Sequence, residues 1–257
     1  MKNALLPLAL ILSTCAIAQP YLHEKLTYYD DDGKPTKEKK AVMLQQLIQL
    51  NDTLWETNVY AVNGPRIVSI QSVTADGMSR NGSYITYHRD GWADTLGYYK
   101  NGKRNGSWFI YAGKYFVEQL HYDQDQLIWK KDTLELNRER DSLKAAKTTD
   151  GQTKTEIESE FPGGLRAWGQ YLNHTLRYPD DAVNKMLMGQ VTIGFVVDAQ
   201  GAVPPTSIWV RQSVAYSLDK ESLRVIYLSG NWVPAVQFGK NVKSYKLQPV
   251  IFRLERR

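Results

Sequence analysis

Gly189-Gln190-Val191-Thr192-Ile193-Gly194-Phe195-Val196-Val197-Asp198-Ala199-Gln200-Gly201 is the stretch that decides the fold of the C-terminal part of this 257-residue chain. Val191, Ile193, Phe195 and Val197 alternate with Gln190, Thr192, Gly194 and Val196, which predicts a strand with one strongly apolar face. Asp198 to Gly201 supplies the turn chemistry of a short hairpin loop. Ile208 and Val210 carry the apolar face onto a second strand. Upstream, Leu165, Trp168, Leu172 and Leu176 recur at helical spacing, so Gly164 to Arg177 reads as one amphipathic helix. Tyr178-Pro179 stops it, because the residue before a proline is pushed out of the helical region. Downstream, Ser217 is a candidate N-cap, with Asp219 and Glu221 favoured in the first turn by the helix dipole. Leu223, Ile226 and Tyr227 are expected to face inward on this second helix, and Gly230 to close it in a left-handed conformation. Val250, Phe252 and Leu254 line one face of a last strand. The order helix, strand, strand, helix, strand predicts an α+β unit with a three-stranded antiparallel sheet.

Landmarks recur in order along the same region: Phe161-Pro162-Gly163-Gly164, Tyr178-Pro179, Gly189-Gln190-Val191, Asp198 to Gly201, Leu218-Asp219, Trp232-Val233-Pro234-Ala235 and Pro249-Val250-Ile251-Phe252. Together they resemble the C-terminal domain of the TonB energy-transducer family over residues 160 to 254. That resemblance implies docking on an envelope protein, a TonB-dependent outer-membrane transporter in the first instance. In the family the last strand pairs with a short extended peptide of the partner, a case of strand addition. Pro249 bears on this independently, since a proline within a strand belongs on an edge or at a bulge. The strand from Lys243 to Leu254 is therefore expected at a sheet edge, with Lys243, Lys246 and Arg253 guarding it against promiscuous pairing. The candidate partner-binding residues are Lys243, Tyr245, Lys246, Leu247, Val250, Ile251 and Arg253, with Arg177 where the best-known transducers carry a glutamine near the docked peptide. An ordinary protected edge without a ligand, or pairing of the edge with a second copy of the chain as a homodimer, are the alternatives.

The N-terminus matches a targeting segment. Lys2 supplies a positive n-region, Ala4 to Ile17 an apolar stretch of about 14 residues, and Ala16-Ile17-Ala18 a small-x-small cleavage site before Gln19. The stretch is shorter than the ~20 residues a spanning helix needs. Cleavage after Ala18 and a periplasmic location are expected. Lipidation at Cys15 or retention as an inner-membrane anchor are the second choices, and motor proteins such as ExbB and ExbD are implied only with the anchor retained. Cys15 is the only cysteine, so the cleaved chain would have no thiol chemistry. Loss of Lys2 lowers the formal charge from +5 to +4, and the charges are interspersed rather than gathered in a stripe. Nothing in that pattern points to nucleic acid.

Within Tyr21 to Lys130, Arg80-Asn81-Gly82-Ser83-Tyr84-Ile85-Thr86-Tyr87 recurs 24 residues on as Arg104-Asn105-Gly106-Ser107-Trp108-Phe109-Ile110-Tyr111. Asn-Gly pairs flanked by aromatic and β-branched residues read as β-hairpins. Residues 77 to 122 resemble MORN-type repeats in their bacterial form, with Tyr84 replacing the tryptophan in the first copy. Trp55 to Val62 and Arg66 to Val73, joined across Asn63-Gly64, add another hairpin. Ala41, Leu44, Leu47 and Ile48 favour a short helix within Thr36 to Leu50. The repeat aromatics either fill the core between hairpins or hold a glycan or peptide, and repeat stacking favours the first. Asp30-Asp31-Asp32-Gly33 lacks the spacing of a calcium loop and reads as a turn.

Lys131 to Glu160 is polar, its first half compatible with a solvated helix and the rest with a linker. No proline occurs between Pro65 and Pro162, so the long proline-rich spacer of a self-sufficient transducer is missing. The expected organisation is residues 1–18 signal peptide, 19–130 a β-rich MORN-like hairpin-repeat domain, 131–159 charged linker and 160–257 a TonB-like domain. His23, His88, His121 and His174 are scattered without metal-ligand spacing, and no nucleophile elbow or phosphate-binding loop is present. The chain thus reads as a binding protein with no cofactor, metal or catalytic residues. A TonB-type envelope module linked to transport across the outer membrane is the first reading. A periplasmic adaptor holding peptidoglycan or another envelope protein is the second.

Overall fold

The computed structural model describes residues 22–148 and 156–254. Cys15 and the cleavage site lie outside the described residues. The N-terminal part runs β1 (His23–Tyr29), β2 (Pro35–Thr36), β3 (Met43–Asn51), β4 (Leu54–Ala61), β5 (Arg66–Ser72), β6 (Arg80–Tyr87), β7 (Ala93–Lys100), β8 (Lys103–Arg104), β9 (Gly106–Ala112), β10 (Tyr115–Asp123) and β11 (Gln126–Asp132). These form one antiparallel sheet in the order β11-β10-β9-β7-β6-β5-β4-β3-β1-β2, with β8 also on β7. It is a meander from β3 to β11, as expected where each hairpin is closed by a short polar turn such as Asn63-Gly64, with Asn63 at φ 57°.

The first repeat copy becomes β6 and the second runs from the end of β8 through β9. Asn81-Gly82, expected as a hairpin turn, lies within β6, and the turn falls instead at Asn101-Gly102 between β7 and β8. Trp108 stacks near Tyr84 (5.7 Å), Tyr99 (5.3 Å) and Tyr122 (5.9 Å), and Gly97 leaves room for its ring. The repeat aromatics thus pack one hairpin on the next. Asp30 to Gly33 forms a turn in which Asp30 Oδ1 accepts from the Lys34 N–H at 2.8 Å.

The helix expected within Thr36 to Leu50 is not formed. A single 3-10 turn spans Glu38–Lys40, and Met43–Asn51 is strand β3. Leu44, Gln46 and Ile48 are its buried positions, a period of two that the apolar residues at 41, 44, 47 and 48 obscure. Pairing with β1 and β4 on both sides overrides the local helical spacing.

After β11, helix α1 (Thr133–Thr148) begins at a reciprocal cap. The Glu135 N–H donates to Asp132 Oδ1 at 2.9 Å and the Asp132 N–H donates to Glu135 Oε2 at 3.1 Å. The C-terminal part follows as β12 (Glu156–Ile157), α2 (Gly164–Thr175), α3 (Asp180–Asn184), β13 (Gly189–Val197), β14 (Trp209–Gln212), α4 (Tyr216–Tyr227), β15 (Ala235–Gln237), β16 (Lys240–Val242) and β17 (Ser244–Phe252). Its main sheet has the order β14-β13-β17, all antiparallel, beside a small sheet β12-β15-β16. The protein is α+β: a large antiparallel sheet region, then a unit of helices on a three-stranded sheet.

Val191, Ile193, Phe195 and Val197 are fully buried under α2 and α4 with Trp168, Leu218, Val225, Ile226 and Trp232. The Asp198 loop closes because Asp198 Oδ1 accepts from the N–H groups of Gln200 and Ala202, at 2.9 and 2.8 Å. Helix α4 starts two residues earlier than Ser217 would set it, with Ala215 at the N-cap and Ser217 Oγ without a hydrogen-bond partner. Asp219 accounts for the shift: its Oδ1 accepts from the Val214 N–H and its Oδ2 from Ser213 Oγ, so it caps from inside the first turn. Leu223 and Tyr227 are only half-buried, and Leu218, Ser222, Val225 and Ile226 form the buried face of α4.

The two parts share one core. Ile85, Tyr87 and Ala93 of the N-terminal sheet belong to the same buried cluster as the C-terminal residues. Trp92 bridges to Gln212, Tyr87 OH donates to the Val210 carbonyl at 2.7 Å, and the Ser213 N–H donates to the Gly91 carbonyl at 2.8 Å. Arg211 reaches across to donate to the carbonyls of Ala93 (2.6 Å) and Gly113 (3.2 Å).

Gly91 fixes this seam. It sits at φ +85°, and a Cβ there would come 1.9 Å from the Ser213 carbonyl oxygen. Gly91→Ala is expected to destabilise the chain by at least about 2 kcal/mol, because both the backbone conformation and the contact resist it. Urea midpoints combined with hydrogen exchange at residues 211–213 will show the loss at the seam; unchanged protection there would refute it.

Candidate functional site

The open side of the C-terminal sheet is β17. Among the described residues its one strand neighbour is β13, in register Gly189↔Phe252 through Val197↔Ser244. The sheet's other margin, β14, is covered by the N-terminal part through the Trp92–Gln212 bridge and the Gly91–Ser213 bond. Pro249 stands opposite Thr192 in β17, where an edge tolerates its missing N–H.

Alternation splits β17 into two faces. Val250 and Phe252 point into the core, the latter against Tyr178 at 5.4 Å. Tyr245, Leu247 and Ile251 point outward and are 78, 54 and 45 % exposed. They sit opposite Val196, Gly194 and Gln190 of β13, and Trp209 of β14 lies over Gly194. An apolar strip thus borders a free row of backbone donors and acceptors, the arrangement that lets a strand add and its alternate side chains be read.

Of the candidate residues, Tyr245, Leu247 and Ile251 are brought together on this strip. Lys243 and Arg253 flank the strand and are exposed. Val250 is buried, so its side chain cannot meet a partner. Lys246 differs from its expected guarding role: its Nζ donates to the Ser159 carbonyl at 2.7 Å, with Glu158 at 3.9 Å. Its side chain shares the register face of Phe195 and so ties β17 to the segment before α2. Arg177 lies in a different place, in the lining of a cleft between the two parts, where its backbone N–H donates to Glu221 Oε1 at 2.6 Å.

The polar centre beneath the seam left no local signal in the chain. Arg66 and Asp219 are both buried, with Arg66 Nε 3.9 Å from Asp219 Oδ2. Arg66 donates to Tyr60 OH through Nε (2.9 Å) and Nη2 (2.5 Å), and its own N–H donates to Ser213 Oγ at 2.8 Å. Burial pushes the Asp219 carboxyl up to about 6, against the pull of Arg66 and Ser213. Burial also raises the Tyr60 and Tyr87 phenols; burial alone would lower Arg66, but the Asp219 carboxylate and the Tyr60 hydroxyl that accepts from it outweigh that. Asp219 was legible only as a first-turn carboxylate; its partner lies in a strand 153 positions away.

The histidines stay apart: His121 stacks on Trp129, His88 Nδ1 meets Asp90, and His174 Nδ1 faces the Gln170 carbonyl. Among the described residues no group of three His, Cys, Asp or Glu side chains could hold a metal ion. No helix among them is long and apolar enough to cross a membrane.

Helices over one face of a three-stranded antiparallel sheet with an open, apolar-bordered edge define a protein-interaction unit. Residues 174–254, about a third of the chain, match the model of the family described as Gram-negative bacterial TonB protein C-terminal. The match supports a TonB-type envelope protein-interaction module for this part of the chain. No curated protein and no solved structure shows significant similarity to the chain.

Proposed function

We propose that this chain is an exported envelope protein that captures a partner by strand addition along β17, in support of transport across the outer membrane. The observation that carries the reading is the asymmetry of the β14-β13-β17 sheet: one margin is sealed by the N-terminal sheet, the other is open and bordered by Tyr245, Leu247 and Ile251. Lys243 and Arg253 at the two ends of β17 limit pairing with unsuitable strands. The partner is an envelope protein presenting an extended segment, with a TonB-dependent outer-membrane transporter as the first candidate. The N-terminal sheet, MORN-like over residues 77 to 122, is the platform that holds this module. Residues 1–18 are its signal peptide, and 131–159 connect the two parts.

Photo-crosslinking in the native envelope tests the docking. Benzoylphenylalanine at Tyr245 or Leu247 is expected to capture an outer-membrane barrel, and the same probe at the exposed Met78, far from β17 in sequence and on the other part, is not. Ile251→Pro is expected to abolish capture from position 245, with Leu247→Asp as a second variant should the proline disturb the ladder with β13. Capture of a soluble envelope protein alone would replace the transport reading by that of an adaptor. Capture that survives both variants would move the docking face elsewhere. Intact mass of the protein from that envelope is expected to show a chain beginning at Gln19; an uncleaved or lipidated species would refute that processing.

A further inference from the structure

Between the β3–β7 face of the N-terminal sheet and the α4 side of the C-terminal part lies a cleft of about 720 Å³. That is the size range of pockets that hold small ligands. Its walls differ in chemistry. On the sheet side a chain of side-chain hydrogen bonds crosses successive strands: Gln46 Nε2 to Glu24 (2.7 Å), Asn58 Nδ2 to Gln46 (3.1 Å) and to Glu56 (3.0 Å), and Gln71 Nε2 to Glu56 (3.1 Å). On the opposite side Ile208, Leu223 and Tyr227 are apolar lining, and Ile48, Leu54 and Ile85 continue it at the sheet.

Most charges in the lining are already matched. Arg66 faces Asp219, Lys220 meets Glu24 at 2.6 Å, and Arg224 holds Glu221 at 2.6 Å and donates to the Thr175 carbonyl. Asp181, at the rim, acts on Lys185. Two opposite charges have no ion pair within 4 Å among the described residues. Glu56, half-buried, accepts from the Asn58 and Gln71 amides and acts on Arg66 only from beyond ion-pair distance. Arg177, exposed in the lining, has no side-chain partner among them. Asn58 adds a third open valence: both of its amide hydrogens are used, and its Oδ1, in a side chain 1 % exposed, has no donor.

We propose that this cleft binds a short zwitterionic peptide, its amino terminus at Glu56, its carboxylate at Arg177 and its apolar side chains against Leu223, Tyr227 and Ile48. A fatty acid would satisfy Arg177 and leave the Glu56 carboxylate against hydrocarbon, an expensive arrangement. A nucleotide would bring several phosphate charges to one unpaired guanidinium. An ammonium and a carboxylate joined by an apolar, N–H-bearing body answer both unmatched charges and offer donors to the amide wall. The site is separate from β17 and does not rest on the docking reading.

Titration calorimetry of the full chain with the tripeptides Leu-Leu-Leu, Ala-Leu-Phe and Gly-Val-Tyr tests it. At least one is expected to bind with one-to-one stoichiometry, and acetylating its amine or amidating its carboxylate is expected to weaken it by about tenfold. Glu56→Gln should weaken the free peptide and leave the N-acetyl form unaffected. Arg177→Gln should weaken the free peptide and leave the C-amide unaffected. Among the described residues the Arg177 side chain makes no hydrogen bond or ion pair, so that variant decides the question if Glu56→Gln unfolds. No heat from any of the three at millimolar concentration, or binding indifferent to blocked termini and to Arg177→Gln, would overturn the proposal.

Discussion

Replacing Arg66 by methionine is expected to cost the folded chain about 3–5 kcal/mol at pH 7, the penalty for leaving one partner of a buried ion pair without the other. The variant strands Asp219, which is fully buried, and leaves Tyr60 OH without its donors. The pH dependence follows from the direction of the Asp219 shift. Its folded value of about 6 lies above the ordinary 3.8, so the native chain binds this proton more tightly than the unfolded one. The contribution of that group to stability is therefore greatest below about pH 3.8 and falls as pH rises through about 6. In Arg66→Met the lost cation raises the carboxyl further, so the penalty should shrink when urea melts at pH 7 are repeated at pH 4.5. The double variant Arg66→Met/Asp219→Asn should recover part of the loss. A single variant as costly in acid as at neutral pH would show that packing, not charge, dominates at the seam.

Trp232→Ala is expected to cost a similar amount, about 3–5 kcal/mol, by opening a cavity in the C-terminal core. Trp232 is 3 % exposed and sits among Phe161 (5.5 Å), Trp168 (5.6 Å) and Phe195 (4.9 Å), with its indole N–H donating to Ser229 Oγ at 2.9 Å. Gly201 depends on the same residue, since a Cβ there would meet the Trp232 carbonyl at 2.2 Å. Trp232→Phe keeps most of the ring contacts and loses the hydrogen bond, so about 1–2 kcal/mol is expected. Denaturant melts followed by near-ultraviolet dichroism will separate the two. Equal losses in both variants would mean that the hydrogen bond outweighs the cavity.

The open edge could be read from Pro249 and from the alternation of Val250 and Phe252, because edge tolerance and face are local properties of a strand. The strand β3 could not, because Ala41, Leu44, Leu47 and Ile48 satisfy a helical period as well as Leu44, Gln46 and Ile48 satisfy a strand period. Long-range pairing with β1 and β4 decided between them. The Asp132–Glu135 cap was present in the sequence as a spacing of three and marks where the polar segment turns helical. Lys246 and Arg177 were legible as charges near a docking strand. The bond of Lys246 to the Ser159 carbonyl and the position of Arg177 in the cleft depend on segments distant in the chain.

By itself the sequence determined the C-terminal α+β unit and the buried faces of β13 and β17. These follow from periodicity, proline and glycine placement and turn chemistry, all acting over a few residues. Only the tertiary structure decided that the two parts share a core, that β14 is sealed while β17 stays open, and that Arg66 meets Asp219. Those outcomes rest on burial and charge pairing between residues more than a hundred positions apart. No local pattern encodes such a meeting, because its free energy exists only once the two surfaces have excluded water from each other.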